Sequence, residues 1–140
     1  MKRLDAYAQP AVQWTRIEML LTAFDGTISR LESAQVLIEQ NEMLKAQQQL
    51  LTAQRLVLAL YEGIDLRYGE IPANMQQLYL FVLGCIGVGK KLDLPAAIKV
   101  LKIIQSGLLH IKDTANEMER QGKISSVPDV PIQLLKNIVA

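Results

Sequence analysis

This chain of 140 residues contains very few of the residue types that carry catalysis or ligate metals. It has one histidine, His110, and one cysteine, Cys85. A single cysteine excludes an internal disulfide, and bundle metal sites need several inward-facing His or Glu residues. The formal net charge of +1 gives no electrostatic reason to bind nucleic acid or an anionic membrane. We therefore expect no metal, no cofactor and no nucleic-acid partner.

Long hydrophobic runs are also missing. No stretch reaches the roughly 20 consecutive apolar residues of a membrane-spanning helix. The first residues lack the apolar core of a signal peptide. These two absences predict a cytoplasmic protein with no membrane partner.

Aliphatic residues are plentiful. Half of the chain is hydrophobic but only 5% is aromatic, so the core must consist of Leu, Ile, Val, Ala and Met. Such cores are typical of helical bundles, and the length fits one domain. The composition thus favours an all-α fold.

The most informative segment contains the turn-forming dipeptide Asp25-Gly26. Apolar residues nevertheless pass through it at helical steps of three and four, which places them on one helix face. They are Ile17, Leu21, Phe24, Ile28, Leu31 and Ile38. We therefore predict an uninterrupted helix with Gly26 inside it, at a cost of roughly 1 kcal/mol relative to alanine. A glycine there indicates a neighbour packed close to the backbone.

Capping residues and prolines divide the chain into four main helices. Thr15 and Glu18 have the spacing of a capping box, so the first helix should run from Arg16 to Gln40. The second should span 43–65, and Pro72 and Asp93 mark the starts of the third and fourth. Short connections predict an antiparallel up-down four-helix bundle.

We expect residues 1–140 to form a single domain with three parts. Residues 1–14 are predicted to be an N-terminal arm, 15–121 the bundle, and 122–140 a C-terminal extension. The spacing of Ile132, Leu135 and Ile138 suggests a short helix there, which needs docking to be stable.

The predicted helices carry more apolar residues than one buried face requires. Inward faces are predicted at Met43, Ala46, Leu50, Ala53, Val57, Leu60 and Ile64, at Met75, Leu78, Val82 and Ile86, and from Ala97 to Met118. Off these faces lie Leu44, Leu51 and Leu58 on the second helix, and Val100 and Ile103 on the fourth. This surplus predicts a second buried surface that meets the arms, another subunit or a partner peptide.

One motif has the form of a phosphate-binding loop. Residues 84–90 match G-x-x-x-x-G-K, but Lys91 replaces the Ser or Thr that would hold magnesium, and the surrounding pattern is helical. We favour a structural role, in which Gly84 and Gly87 let the third helix approach a neighbour and residues 89–91 cap its end.

For each of three polar or reactive side chains, both a structural and a functional role can be considered. Cys85 is expected to be an inert core residue rather than a nucleophile. His110 is expected to be solvated or packed. Asp25 is either a partner-binding or catalytic carboxylate, or a surface acid, or an acid hydrogen-bonded to a tyrosine or a loop amide; we favour the last two.

Three sequence blocks occur in a recognisable order. Residues 21–26 read Leu-Thr-Ala-Phe-Asp-Gly, and residues 6–9 upstream read Ala-Tyr-Ala-Gln. Downstream come Gly69-Glu70-Ile71, Asn74 and Leu78-Tyr79. Over roughly residues 5–115 these blocks resemble the FliS-type flagellar secretion chaperones. The first resembles the signature of that family's first helix, and the others its tyrosine-containing arm and the opening of its third helix.

The resemblance implies a non-enzymatic cytoplasmic helical bundle without cofactors. Proteins of this type bind the disordered C-terminal segment of flagellin and prevent premature polymerisation before export. In that family, an N-terminal arm can cover part of the flagellin-binding surface when flagellin is absent. Partner-binding residues expected here are Tyr7, Leu20, Phe24, Leu78, Tyr79, Val82 and Ile86. Ordinary core packing remains the alternative for each of them.

Two other functions stay open at this point. A divergent adaptor would keep the fold and bind another secretion component or itself, not flagellin, with residues 131–139 occupying the apolar surface in cis. An enzyme or nucleotide-binding protein would use residues 84–90.

Overall fold

The computed structural model describes residues 15–63, 70–87 and 92–123. These residues form five α-helices and no strand, which confirms the all-α class. The helices are α1 (Arg16–Glu39), α2 (Met43–Glu62), α3 (Glu70–Ile86), α4 (Leu94–His110) and α5 (Lys112–Arg120).

Helix α1 begins at the predicted capping box. The Glu18 amide donates to the Thr15 hydroxyl at 3.4 Å, and the Thr15 amide donates to the Glu18 carboxylate at 2.9 Å. The helix continues through Asp25 and Gly26, and Gly26 is buried. The prediction of an uninterrupted first helix is therefore confirmed.

Replacing Thr15 by alanine should lower the free energy of unfolding by about 0.5–2 kcal/mol, because it removes the acceptor for an amide in the first turn of α1. Urea denaturation followed by circular dichroism measures this loss. Thr52→Ala is the matched control, since the exposed Thr52 hydroxyl only donates to a carbonyl within α2. Equal losses for the two variants would contradict a capping role.

The first four helices enclose one apolar core. Helix α1 packs against α2 and α4, and α3 also packs against α2 and α4. The Phe24 and Tyr79 rings meet in this core with their centroids 6.1 Å apart. Apart from Tyr79 with its phenol hydroxyl, the one polar side chain buried among the described residues is Thr27, whose hydroxyl donates to the Ala23 carbonyl at 2.7 Å. The core is thus aliphatic with one aromatic pair at its centre.

The predicted fourth helix is wrong in one respect. Its apolar pattern ran unbroken from Ala97 to Met118, but the structure breaks it at Ile111 into α4 and α5, bent by 56°. None of the residues of α5 is buried, so burial in the core does not hold it in line with α4. Instead the Glu119 carboxylate accepts the Arg16 amide at 2.8 Å, which ties α5 to the start of α1.

Helix α3 also corrects the predicted inward face. It begins at Glu70, ahead of Pro72, and its inward residues are Met75, Tyr79, Val82 and Ile86. Leu78 is exposed instead, because it lies one residue, or about 100°, around the helix from Tyr79.

Several predictions fall outside the described residues. They concern the arm at 1–14, the end of the second helix after Gly63, the cap at 89–91 and the extension from 124 onward.

Candidate partner-binding surface

Helix α3 presents apolar side chains to solvent beside the buried core. Leu78 and Phe81 are 39% and 51% exposed, and their spacing of three puts them on one helix face. Leu80 is exposed on another part of the same helix. Exposed Phe and Leu side chains on a small bundle are the kind of surface that binds an apolar partner segment.

The predicted binding residues divide between the core and the surface. Phe24, Tyr79, Val82 and Ile86 lie together in the core, whereas Leu20 is partly buried against it. Leu78 is the predicted site residue that reaches the surface, and Tyr7 lies outside the described residues. A binding role for the four core residues stays a prediction.

Phe81 was not predicted from the sequence, although it is more exposed than Leu78. The signal was present, since Phe81 lies three residues after Leu78 and off the inward face. The sequence pattern predicts surplus apolar residues on the second and fourth helices, and a single apolar face on the third.

Helix α2 carries the predicted surplus leucines on its outer side. Leu44, Leu51 and Leu58 are all exposed, at intervals of seven residues, and we call them the α2 stripe. On α4, Ile103 is exposed as expected, whereas Val100 is partly buried against the core. The prediction of a surplus surface is thus confirmed for four of the five residues.

A shallow groove of about 560 Å³ lies between α1 and α4. Ile98, Ile103 and Pro95 contribute apolar lining, and the rim carries Glu32 and Lys102. The Lys102 ammonium lies 3.3 Å from the Glu32 carboxylate, so this ion pair spans the groove rim. Both partners are half exposed, and such a pair adds little to stability.

The glycine motif does not have the surroundings of a phosphate-binding loop. Residues 78–83, which a nucleotide site requires as a strand, are helical, and Gly84 is still inside α3. A Cβ on Gly84 would meet nothing within 4 Å, so its predicted close approach to a neighbouring helix is wrong. At Gly87 a Cβ would lie 3.1 Å from the Leu83 carbonyl oxygen, within the same chain segment.

Cys85 and Asp25 lie in different environments. Cys85 is buried; desolvation and, less strongly, the Asp93 carboxylate raise the pKa of its thiol and so oppose formation of the nucleophilic thiolate. Asp25 is exposed and accepts a hydrogen bond from the Gln105 side-chain amide, as a surface acid does. Within 15–63, 70–87 and 92–123, no three His, Cys, Asp or Glu side chains are grouped to hold a metal ion.

Among the helices that the structure describes, none alone has the length and hydrophobicity to cross a membrane. One bent pair of helices has the required length and hydrophobicity only when its two members are taken together, namely Leu94–His110 and Lys112–Arg120.

Comparison with known families agrees with this helical architecture. The family model described as "Flagellar protein FliS" matches residues 2–121, which is most of the chain. No curated protein and no solved structure matches the sequence. The match includes all five described helices and the Asp25-Gly26 segment of α1. The chain therefore belongs to the FliS family of flagellar chaperones.

Proposed function

We propose that this protein is a cytoplasmic export chaperone that binds the disordered C-terminal segment of flagellin. By covering that segment it prevents polymerisation of flagellin before secretion. The observation that carries the proposal is the exposed apolar face of α3, with Leu78 and Phe81, in a member of the FliS family.

The proposal has a simple energetic basis. A disordered segment that forms filaments is itself apolar, and covering each 100 Å² of apolar surface contributes about 2.5 kcal/mol before ordering costs. Those ordering costs are several kcal/mol, so a stable complex needs several side chains and an extended contact. Exposed apolar residues on α3 and α4 can provide such a contact.

The proposal includes an antiparallel up-down arrangement of the first four helices. The arrangement is supported by the order in which residues of α1 contact residues of α4 and α5. Glu32 contacts Lys102, Asp25 contacts Gln105, and Arg16 contacts Glu119. In these pairs the residue number on α1 decreases while the residue number on α4 or α5 increases. Contacts between antiparallel helices follow this order.

Calorimetric titration with a flagellin C-terminal peptide tests the proposal. We expect saturable binding with a negative heat-capacity change, because apolar surface is buried. A peptide with its large apolar residues replaced by serine is the control and should not bind. Absence of both heat and heat-capacity change at high micromolar peptide would overturn the proposal. It would leave an adaptor for another flagellar export component, or for a second copy of the chain.

A further inference from the structure

The α2 stripe offers a narrow apolar surface that no described helix covers. Leu44, Leu51 and Leu58 are 79%, 47% and 46% exposed. At a rise of 1.5 Å per residue the stripe is about 20 Å long. Between Lys45 and Glu62, Arg55 is the single charged residue, and interface centres are similarly depleted of charge.

The C-terminal extension leaves the bundle from a fixed point. Helix α5 ends in a Schellman turn: Gly122 has a φ of 77°, and the Lys123 amide donates to the Met118 carbonyl at 2.8 Å. Because Glu119 is bonded to the Arg16 amide, this turn lies close to the first residue of α1. The extension therefore starts at the N-terminal end of α1.

The stripe runs towards the same end of the bundle. Only Gln40, Asn41 and Glu42 connect α1 to α2, and Arg30 on α1 donates to Gln49 on α2 at 3.1 Å. The start of α1 is therefore level with the end of α2, where Leu58 is the nearest stripe residue.

The sequence of the extension matches this surface in reach and pattern. Nine residue steps separate Lys123 from Ile132, and an extended chain covers about 30 Å in that length. Ile132, Leu135 and Ile138 follow at steps of three, so a helix there has one apolar face. Such a helix is about 10 Å long, close to the interval between two stripe leucines.

The size of the stripe favours a tethered occupant over a second copy of the chain. Three partly exposed leucines, with about 60–120 Å² each to bury, provide a few hundred Å². A stable dimer interface needs about 800 Å² from each partner. A segment of the same chain, by contrast, is present at an effective concentration in the millimolar range, where a small contact suffices.

We propose that residues 132–139 dock in cis on the α2 stripe, with Ile132, Leu135 and Ile138 against Leu51 and Leu58. The FliS family model matches residues 2–121, so the docking segment lies outside the matched part of the chain and the α2 stripe lies inside it. It does not depend on flagellin binding, and its test contains no flagellin.

Paramagnetic relaxation in the full-length chain tests the contact. A nitroxide is attached at Gln133→Cys in a Cys85→Ala background, so that the label has one attachment site. We expect backbone amide signals around Leu51 and Leu58 to lose most of their intensity and to regain it when the nitroxide is reduced. Adding Leu135→Glu or Leu51→Glu should restore the intensity of these amide signals even while the nitroxide stays oxidised.

Controls separate this contact from its rivals. Ile111→Glu changes an apolar residue of similar exposure at the other end of α5 from the extension, and should leave the signal loss unchanged. Signal loss at α4 and α5 but not α2, or survival of the loss in Leu51→Glu, would overturn the proposal. So would loss seen only when labelled and isotope-enriched chains are mixed, which indicates a second copy. Preserved amide dispersion in each variant confirms that it folds.

Discussion

Replacing Phe24 by alanine is expected to lower the free energy of unfolding by about 3–5 kcal/mol. The Phe24 side chain is fully buried and contacts the Tyr79 ring. Its removal from α1 leaves a cavity against α3, and the surrounding aliphatic side chains can fill that cavity only in part. A loss of this size is a large fraction of the total stability of a small domain.

The chain contains a matched control for this experiment, since its two phenylalanines lie in opposite environments. Phe81 is exposed, so Phe81→Ala should change the free energy of unfolding by no more than about 0.5 kcal/mol. Urea denaturation of both variants under one buffer gives the comparison. Similar losses for the two substitutions would contradict the assignment of Phe24 to the core.

The second large effect is expected on partner binding. Leu78→Ala with Phe81→Ala should weaken binding of the flagellin C-terminal peptide about 100-fold, or about 10-fold for each substitution. Each side chain still has a substantial part of its surface to bury, which corresponds to somewhat more than 1 kcal/mol. Because neither is in the core, the fold should remain intact.

Calorimetry measures the dissociation constants, and circular dichroism confirms folding. Val36→Ala is the control, because Val36 is 51% exposed like Phe81 but belongs to α1 rather than α3. It should leave the affinity unchanged. An unaltered affinity in the double variant would place the binding surface elsewhere. The peptide titration of the unsubstituted chain would then still support the chaperone function.

These two experiments separate core packing from partner binding, which the sequence pattern could not assign to different residues. Phe24 and Leu78 were both predicted to contribute to partner binding, with core packing as the alternative. The structure places Phe24 in the core and Leu78 at the surface, so loss of stability and loss of affinity should follow from different substitutions.

Periodicity and capping predicted the helices well because both are local. The spacing from Ile17 to Leu31 required one helix face, and the capping box set its start at Thr15. Asp93 was likewise predicted to cap α4, and its carboxylate accepts the Ala96 amide at 3.2 Å. Each of these interactions joins residues within a few positions of one another, so the sequence contains all the information needed.

The sequence by itself therefore determined the all-α class, the uninterrupted α1 and the surplus leucines of α2, since periodicity and composition are properties of neighbouring residues. Tertiary structure decided which apolar residues became core and which became surface. Tyr79 rather than Leu78 faces inward because α3 is rotated by its contacts with α2 and α4. The bend at Ile111 has the same origin: α5 buries no residue and is held by the contact of Glu119 with the start of α1, about a hundred residues away in sequence.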